Sequence, residues 1–370
     1  MEVTRQQVIA YRVAAQGLHR ETRSLGELAV LDIGVQDSGT DGARLAFDAR
    51  LAGSPPPDGI GPGQPLALVW SLRGAPHVHR RAELDALAGA LWPMSEADAV
   101  ARLGSAASVR RAGLDALAAY TLAVDALHRT VRAPMAKGAA SAGVTAAVPL
   151  ALTRECRACR ARHVFELPFR MGALPAGLEL EPATSPPVLL PRPRAKRPTT
   201  VDVGALRRLI TAYLSLLGPA TPADVAGYLG ARRADVVARW PDGLAEVRID
   251  GRPGWLPAAR IGQLRRSRPP DVVRLLSAFD PYLQARDRDV IVPDRSVHKQ
   301  LWPVLGRPGV LLADGEVAGT WRPKALGTKL TLVVEAFGPL PPATWTAVEA
   351  EAERVAAVRG AASVAVKRVE

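Results

Sequence analysis

The chain has 370 residues, 48% of them hydrophobic, which suits about two to four domains with substantial apolar cores. Lysine and arginine number 48 against 36 acidic residues, and the resulting net charge of +12 favours a polyanionic partner, nucleic acid first. No apolar run reaches the roughly 18 residues that a membrane-spanning helix needs, and the charged N-terminus lacks the apolar core of a signal peptide. Two cysteines are too few for a disulfide framework. We therefore expect a cytoplasmic protein without a membrane partner.

The first predicted elements have the chain order of a winged helix, which we place at residues 1–85. Apolar residues at spacings of three and four predict a helix over residues 3–18, with Thr4 as a plausible cap. Glycines break the helical pattern at GVQDSGTDG, and a loop rich in proline and glycine spans residues 54–65. The apolar patterns predict two further helices, over Leu25–Val35 and Asp41–Leu51. They also predict two extended segments, over Leu66–Leu72 and Ala75–His79.

A similar order recurs over residues 86–190, as a second predicted winged helix. A long helix over Leu114–Val131 precedes a short helix over Ser141–Val148. Two extended runs, Leu150–Thr153 and His163–Phe169, then flank the basic turn ECRACRAR, which reads as a wing.

The third predicted winged helix, residues 199–262, has the clearest pattern. Val203–Leu217 is an amphipathic helix, and Thr221-Pro222 begins another, with threonine as the cap and proline at the first helical position. The helices that follow are predicted over Ala223–Leu229 and Arg232–Trp240, and a hairpin over Leu244–Ile249 and Gly254–Leu256. Arg232 and Arg233 open the helix that would present its N-terminal residues to DNA, although winged helices also serve as protein-binding modules.

Residues 270–370 are predicted to form a β-barrel-like domain, which makes the fold class α+β. The predicted strands are Val290–Val292, Val310–Leu312, Glu316–Thr320, Lys329–Val334 and Ala362–Val369, with a helix over Pro342–Arg359. Asp314-Gly315 is a strong hairpin-turn signal between two of these strands.

The second predicted wing carries two clusters with chemical potential. Arg154, Arg157 and Arg160 could neutralise DNA phosphates, or they could simply be a solvated turn. Cys156, Cys159 and His163 have the spacing C-x2-C-x3-H, but zinc prefers four ligands and the chain has no other cysteine. Glu155 or another histidine could complete a site, yet nothing requires it, so we expect two reduced cysteines and no metal.

Two segments of the first predicted module could take part in chemistry. His77 and His79 lie two apart on a predicted strand and face the same side, where they could contact a phosphate or base.

Asp37 could act as a general base on water or stabilise positive charge on a sugar, with Gln36 orienting the water. The alternative is an ordinary turn in which Ser38 or Asp41 caps the next helix.

Three segments carry a more specific signal together. The first is GVQDSGTDGARLAFDARL, including the spacing from Gln36 to Arg50, and the second is WSLRGAPHVHR, with Arg73, Gly74 and His77. The third signal combines LLSAFDPYLQARDR with GVLLADGEVAGTWRPK, and includes Asp280, Asp314, Gly315, Gly319 and Trp321. In this order, over roughly residues 4–335, they resemble the AlkZ-like and YcaQ-like bacterial winged-helix DNA glycosylases.

The resemblance implies three tandem winged helices on a C-terminal β-barrel, a basic channel for double-stranded DNA, and hydrolysis of the N-glycosidic bond of alkylated or crosslinked bases without a cofactor. It places the catalytic pair two residues apart, at Gln36 and Ser38, where the family has a second Gln or an Asp. On this basis the candidate catalytic residues are Gln36, Asp37 and Ser38, and the candidate DNA-binding residues are Arg73, His77, His79, Arg154, Arg157, Arg160, Arg232 and Arg233. We expect a monomer, with a non-catalytic DNA-binding protein or transcriptional regulator as the alternative function.

Overall fold

The computed structural model describes residues 1–39, 41–53 and 59–369, and it contains both helices and sheets, as predicted. Thr40 of the predicted break and residues 54–58 of the predicted loop lie outside the described residues. The helices are α1 (Arg5–Ala15), α2 (Gly42–Asp48), α3 (Leu84–Ala90), α4 (Glu96–Arg102), α5 (Ala106–Arg111), α6 (Ala116–Thr130), α7 (Lys137–Ala147), α8 (Glu166–Met171), α9 (Val203–Leu217), α10 (Pro222–Leu229), α11 (Arg233–Val237), α12 (Ile261–Arg266), α13 (Arg288–Ile291), α14 (His298–Leu301) and α15 (Pro342–Arg359). The strands are β1 (Glu2–Val3), β2 (Val35–Gln36), β3 (Leu66–Trp70), β4 (Pro76–Arg80), β5 (Met135–Ala136), β6 (Thr153–Cys156), β7 (Ala161–Val164), β8 (Leu178–Leu180), β9 (Val188–Pro191), β10 (Leu244–Ile249), β11 (Arg252–Pro257), β12 (Val273–Leu276), β13 (Gly309–Ala313), β14 (Glu316–Leu326), β15 (Lys329–Ala336) and β16 (Ser363–Val369).

The chain forms two compact units that interleave in sequence. Unit 1 comprises Met1–Pro57, Ala212–Asp224 and Asp242–Glu370, and unit 2 comprises Asp58–Thr211 and Val225–Pro241. Each unit therefore holds part of α9 and part of α10. The domain boundaries predicted from the sequence remain predictions.

The C-terminal part of unit 1 is an open sheet, so the predicted barrel is wrong. Its strand order is β12-β13-β14-β15-β16, with β15 and β16 parallel and the other neighbours antiparallel. Helix α15 connects the two parallel strands and packs its buried side, including Val348, Ala352 and Val355, against Trp321 and Leu332 of the sheet. Because this helix covers an apolar face, the sheet can bury that face without closing on itself.

A second, smaller sheet of unit 1 has the order β1-β10-β11. Helix α1 begins with a capping box, in which Thr4 accepts from the backbone N–H of Gln7 and the Gln7 side chain accepts in return. The helix buries Val8 and Tyr11 against Val247 and Leu256 of this sheet. The N-terminal helix and a hairpin distant in sequence thus share one core.

Unit 2 contains the antiparallel sheet segment β4-β3-β8-β9-β5 and a separate two-stranded ribbon, β6–β7. Buried aromatic residues link the helices to this sheet. The ring centroids of Trp92 and Tyr120 lie 5.4 Å apart in an edge-on contact, and the Tyr120 hydroxyl donates to the Met171 carbonyl oxygen at 2.9 Å. Trp70 of β3 contacts Phe169 of α8.

Four predicted elements differ from the structure. Of the two extended runs predicted in the second module, Leu150–Thr153 is a 3-10 turn up to Leu152, and His163–Phe169 leaves β7 after Val164 and enters α8 at Glu166. The predicted helix over Leu25–Val35 is two 3-10 turns, Leu25–Glu27 and Ala29–Asp32. The predicted strand over Val290–Val292 lies in and after α13, because a short apolar run does not distinguish a buried strand from a buried helical turn. Among the described helices, none has the length and apolar character needed to cross a membrane.

Candidate active site and nucleic-acid interface

The residues that the resemblance pairs, Gln36 and Ser38, are in contact in unit 1. Gln36 ends β2 and is only 8% exposed, and Ser38 lies between β2 and α2. Gln36 Nε2 donates to the Ser38 hydroxyl oxygen at 3.0 Å. This bond gives the Gln36 amide a defined orientation, and no described residue donates to its Oε1, which can therefore accept a hydrogen bond from a water molecule.

Asp37 has a different contact from its two neighbours. Its Oδ1 accepts from the backbone N–H of Ala43 at 3.0 Å, so this carboxylate caps the first turn of α2. Burial raises the pKa of Asp37 above its ordinary value, while the Ala43 N–H group partly opposes the rise. The predicted caps Ser38 and Asp41 do not bond to the helix through their side chains, since Asp41 pairs with Arg359 at 2.6 Å. The structure thus assigns to Asp37 the capping role that the sequence left open.

Helix α2 is anchored by an ion pair between two residues of the resemblance segments. Arg50 makes bidentate bonds of 2.7 and 2.8 Å to Asp280, and both side chains are 0% exposed. Arg50 also donates to the Ala46 carbonyl and to Gln16. The pair therefore ties the chain just after α2 to the segment between β12 and β13, and it holds the helix that follows the Gln36–Ser38 turn.

In unit 2, the two predicted histidines are buried on the β3–β4 hairpin. His77 lies opposite Val69 and His79 opposite Ala67, with ring centroids 6.0 Å apart. His77 Nδ1 is 3.0 Å from the Ala75 carbonyl oxygen, and His79 Nε2 is 3.0 Å from the hydroxyl of Ser71. Burial lowers the pKa of His79 to about 3 and that of His77 well below its ordinary value. Both imidazoles are therefore neutral at neutral pH and add no positive charge for a phosphate.

Arg73 is held against the α10 residue Tyr228 within unit 2. Its backbone has φ 57°, a left-handed conformation, and its guanidinium lies 5.2 Å from the Tyr228 ring centroid and donates to the Tyr228 carbonyl. A side chain at Gly230 would meet Arg73 Cγ at 3.0 Å. These contacts give Arg73 a packing role in the turn between β3 and β4.

The other predicted arginines of unit 2 are exposed. Arg154, Arg157 and Arg160 lie on the β6–β7 hairpin, and Arg232 and Arg233 lie at the start of α11. The backbone N–H of Arg232 is 3.4 Å from Asp98 Oδ1, which connects this helix start to α4. Exposed guanidinium groups of this kind can pair with phosphate.

Sequence reasoning missed a second cationic group, the unit 1 arginine cluster of Arg286, Arg288 and Arg307. Arg288 stacks on Trp302 at 4.8 Å and Arg307 on Phe279 at 4.6 Å. Burial, followed by the charges of the other cluster members, lowers the pKa of Arg288 and of Arg307. The Nε groups of Arg286 and Arg307 are buried without a partner, and the described ion pairs include none of the three side chains.

This arginine cluster has the features of an anion site. Arg286 and Arg288 line a cleft of about 730 Å³, whose other charged residues are three arginines and four aspartates: Arg5, Arg252, Arg295, Asp224, Asp250, Asp287 and Asp289. A phosphate group bound beside the guanidinium groups would offset the repulsion among the three charges. The run QARDRD, which supplies two of the three residues, was the signal available in the sequence.

Comparisons with known proteins agree with the resemblance. A family model described as "DNA glycosylase AlkZ-like" matches residues 30–358 of the chain. The fold is similar to that of Streptomyces sahachiroi DNA glycosylase AlkZ, with a TM-score of 0.76, 21% sequence identity and 100% of both chains covered. The comparison with curated proteins finds no match. At this level of identity, the structural likeness establishes a common fold.

Proposed function

Since the chain belongs to the AlkZ-like DNA glycosylase family, we propose that it hydrolyses the N-glycosidic bond of alkylated or crosslinked bases in double-stranded DNA. In this reaction water adds to the anomeric carbon of the sugar and loses a proton to a general base or to solvent, and the base leaves with the electron pair of the broken bond. An alkylated purine is already a good leaving group, so the protein mainly has to position the water and stabilise the positive charge that develops on the sugar.

The contact between Gln36 and Ser38 is the observation that carries this proposal. Gln36 is buried and its amide donates to Ser38, which leaves the Oε1 atom to accept from the attacking water. Ser38 fixes the orientation of that amide, but its hydroxyl is neutral. Compared with a carboxylate at this position, we expect weaker stabilisation of the positively charged sugar.

Asp37 has two candidate roles that one substitution separates. One carboxylate oxygen accepts from Ala43, and the raised pKa makes the group a stronger base towards water than an ordinary aspartate. Asp37→Asn keeps an oxygen acceptor for the Ala43 N–H group but removes the charge. Loss of activity in this variant would assign Asp37 to the chemistry, and unchanged activity would leave it the capping role alone.

DNA binding, in this proposal, comes from half-buried arginines of unit 1 and exposed arginines of unit 2. In unit 1 these are Arg286, Arg288 and Arg307, and in unit 2 the arginines of the β6–β7 hairpin and of the α11 start. His77 and His79 would contribute neutral hydrogen-bonding groups towards a base or sugar, because burial keeps them uncharged. Tandem winged helices, a monomeric state and a cytoplasmic location on chromosomal DNA belong to the same proposal.

The test is release of methylated purines from alkylated plasmid DNA, measured by chromatography of the freed bases. We expect release by the wild type and a loss of about 100-fold in Gln36→Ala, the usual scale for one positioned catalytic group. Gln6→Ala is the matched control, because Gln6 is an exposed glutamine on α1. Ser38→Asp restores a carboxylate at the family position, and we expect faster release from this variant.

The substitution of Ser38 for the family residue favours one alternative, a DNA-binding protein without chemistry. In that case, DNA affinity would fall with rising salt but no base would be released, and Ser38→Asp would not restore release. Release that equals the Gln36→Ala background would therefore remove the glycosylase proposal and leave the binding protein.

A further inference from the structure

The β6–β7 hairpin of unit 2 brings two thiols and an imidazole together. Cys156 ends β6, Cys159 lies in the turn and His163 lies in β7, and their candidate ligand atoms are all within 4.8 Å of one another. Both cysteines are free. The spacing C-x2-C-x3-H lacks a fourth ligand and by itself predicts no metal, but the fold brings three donors together.

Strand register explains this meeting. Cys156 pairs with Ala161, and Arg154 pairs with His163. Residues two apart on a strand share a face, so Cys156 and His163 are diagonal neighbours on one side of the ribbon. Arg160 adopts φ 51°, an uncommon conformation for a residue other than glycine, and it turns the chain directly after Cys159.

One donor of the hairpin also lacks a hydrogen-bond partner. His163 Nε2 is buried and has no hydrogen-bond partner among the described residues, so a metal ion would give this ring nitrogen a partner.

We propose that Cys156, Cys159 and His163 bind one zinc ion, with water as the fourth ligand. Two thiolates and an imidazole favour zinc over calcium or magnesium, which prefer oxygen. Glu155 is not the fourth ligand, because it pairs with Arg162 across the ribbon. Zinc–sulfur bonds of about 2.3 Å require the donors to draw slightly closer, which an exposed hairpin allows. Both thiols lose their protons to the solvent on binding, and no oxidant or reductant is needed.

Zinc at this position would hold the turn that carries Arg157 and Arg160. A pinned hairpin presents these exposed guanidinium groups in one arrangement, and less conformational entropy is then lost when they contact phosphates. This consequence for DNA rests on the proposed function, whereas zinc binding itself does not.

The test is titration of the reduced, metal-free full-length chain with Co²⁺ under anaerobic conditions, followed by Zn²⁺ displacement. We expect one Co²⁺ per chain, a thiolate-to-cobalt charge-transfer band, intense visible bands of near-tetrahedral cobalt, and loss of both when Zn²⁺ is added. Absence of the charge-transfer band in the fully reduced wild type would overturn the proposal. A disulfide between the cysteines, found by mass spectrometry in the protein as purified, would then be the better account of the pair.

Variants assign the ligands. Cys156→Ser, Cys159→Ser and His163→Gln are each expected to weaken cobalt binding by 100-fold or more, with circular dichroism showing that the chains remain folded. His19→Gln is the matched control, because His19 is an exposed histidine on unit 1. Unchanged cobalt binding in any one of the three ligand variants would overturn the assigned ligand set, and the wild-type titration decides metal binding even if a variant fails to fold.

DNA affinity separates this proposal from the proposed function. We expect removal of zinc by a chelator to lower DNA affinity at moderate salt in the wild type and to have no effect in His163→Gln. Metal binding without base release would overturn the glycosylase activity alone. Base release without metal binding would overturn the zinc site alone.

Discussion

Two sets of arginines in unit 1 differ in what surrounds them. Arg50 and Arg12 are almost fully buried and make bidentate pairs, with Asp280 and with Asp287 respectively. The arginine cluster of Arg286, Arg288 and Arg307 has aromatic rings beneath it and, among the described ion pairs, no carboxylate partner.

The difference separates charges that stabilise the fold from charges available to a ligand. A net charge of +12 counts every arginine alike, but a guanidinium already paired in the interior cannot release counterions from DNA. Partner geometry, and not residue type, decides the role of each arginine.

Arg50→Ala should be strongly destabilising. It leaves the fully buried Asp280 carboxylate without its partner, and breaking a buried ion pair in this way costs about 3–5 kcal/mol. Denaturant unfolding followed by circular dichroism measures the shift in midpoint. Stability equal to the wild type would contradict the assignment of Arg50 to the arginines that stabilise the fold.

Substituting all three cluster arginines by alanine should weaken DNA binding and change its salt dependence. Each phosphate contact that is lost should reduce the slope of log affinity against log salt by about 0.9. Fluorescence anisotropy with a duplex at several salt concentrations measures the slope. The matched control is Arg248→Ala, since Arg248 is an exposed arginine on β10 with an intramolecular partner, Glu246. An unchanged slope in the triple variant would mean that the cluster does not contact DNA.

Arg307→Ala alone should change stability by less than about 1 kcal/mol. The variant loses a cation–π contact with Phe279, but it also relieves repulsion from Arg288 and Arg286. Denaturant unfolding of this variant and of Arg50→Ala in the same experiment compares the stability that each substitution removes. A loss as large as that of Arg50→Ala would contradict the division between the two sets.

Asp37→Asn should have the smallest effect on folding stability, and this effect should depend on pH. Burial raises the pKa of Asp37 in the folded state, so ionisation of this group disfavours folding. The wild type should therefore lose stability relative to Asp37→Asn as pH rises from about 4 through the raised folded pKa, and the difference should stay constant above it. Denaturant unfolding between pH 4 and 7 measures this difference. A wild type that gains stability over the variant across that window would show that the carboxylate is stabilised in the fold.

Local patterns in the sequence predicted many of the elements. The bounds of Val203–Leu217 and Pro342–Arg359 agree with α9 and α15, because the apolar spacing, the proline at the start of α15 and the glycine after each helix are local signals. The Asp314-Gly315 turn was also predicted, and both residues have positive φ between β13 and β14. Of the candidate site, the Gln36 and Ser38 positions came from the resemblance, and their catalytic roles stay predictions.

The fold class, the longer helices and the excess of positive charge could be predicted from the sequence alone, since each follows from composition or from residues close together in the chain. The contact of Arg50 with Asp280, the gathering of Arg286, Arg288 and Arg307, and the open C-terminal sheet emerged only from the three-dimensional fold. These outcomes depend on residues far apart in the sequence and on which surfaces are buried. Periodicity predicts that a side chain is buried, but the neighbour that it meets is set by the packing of the whole unit.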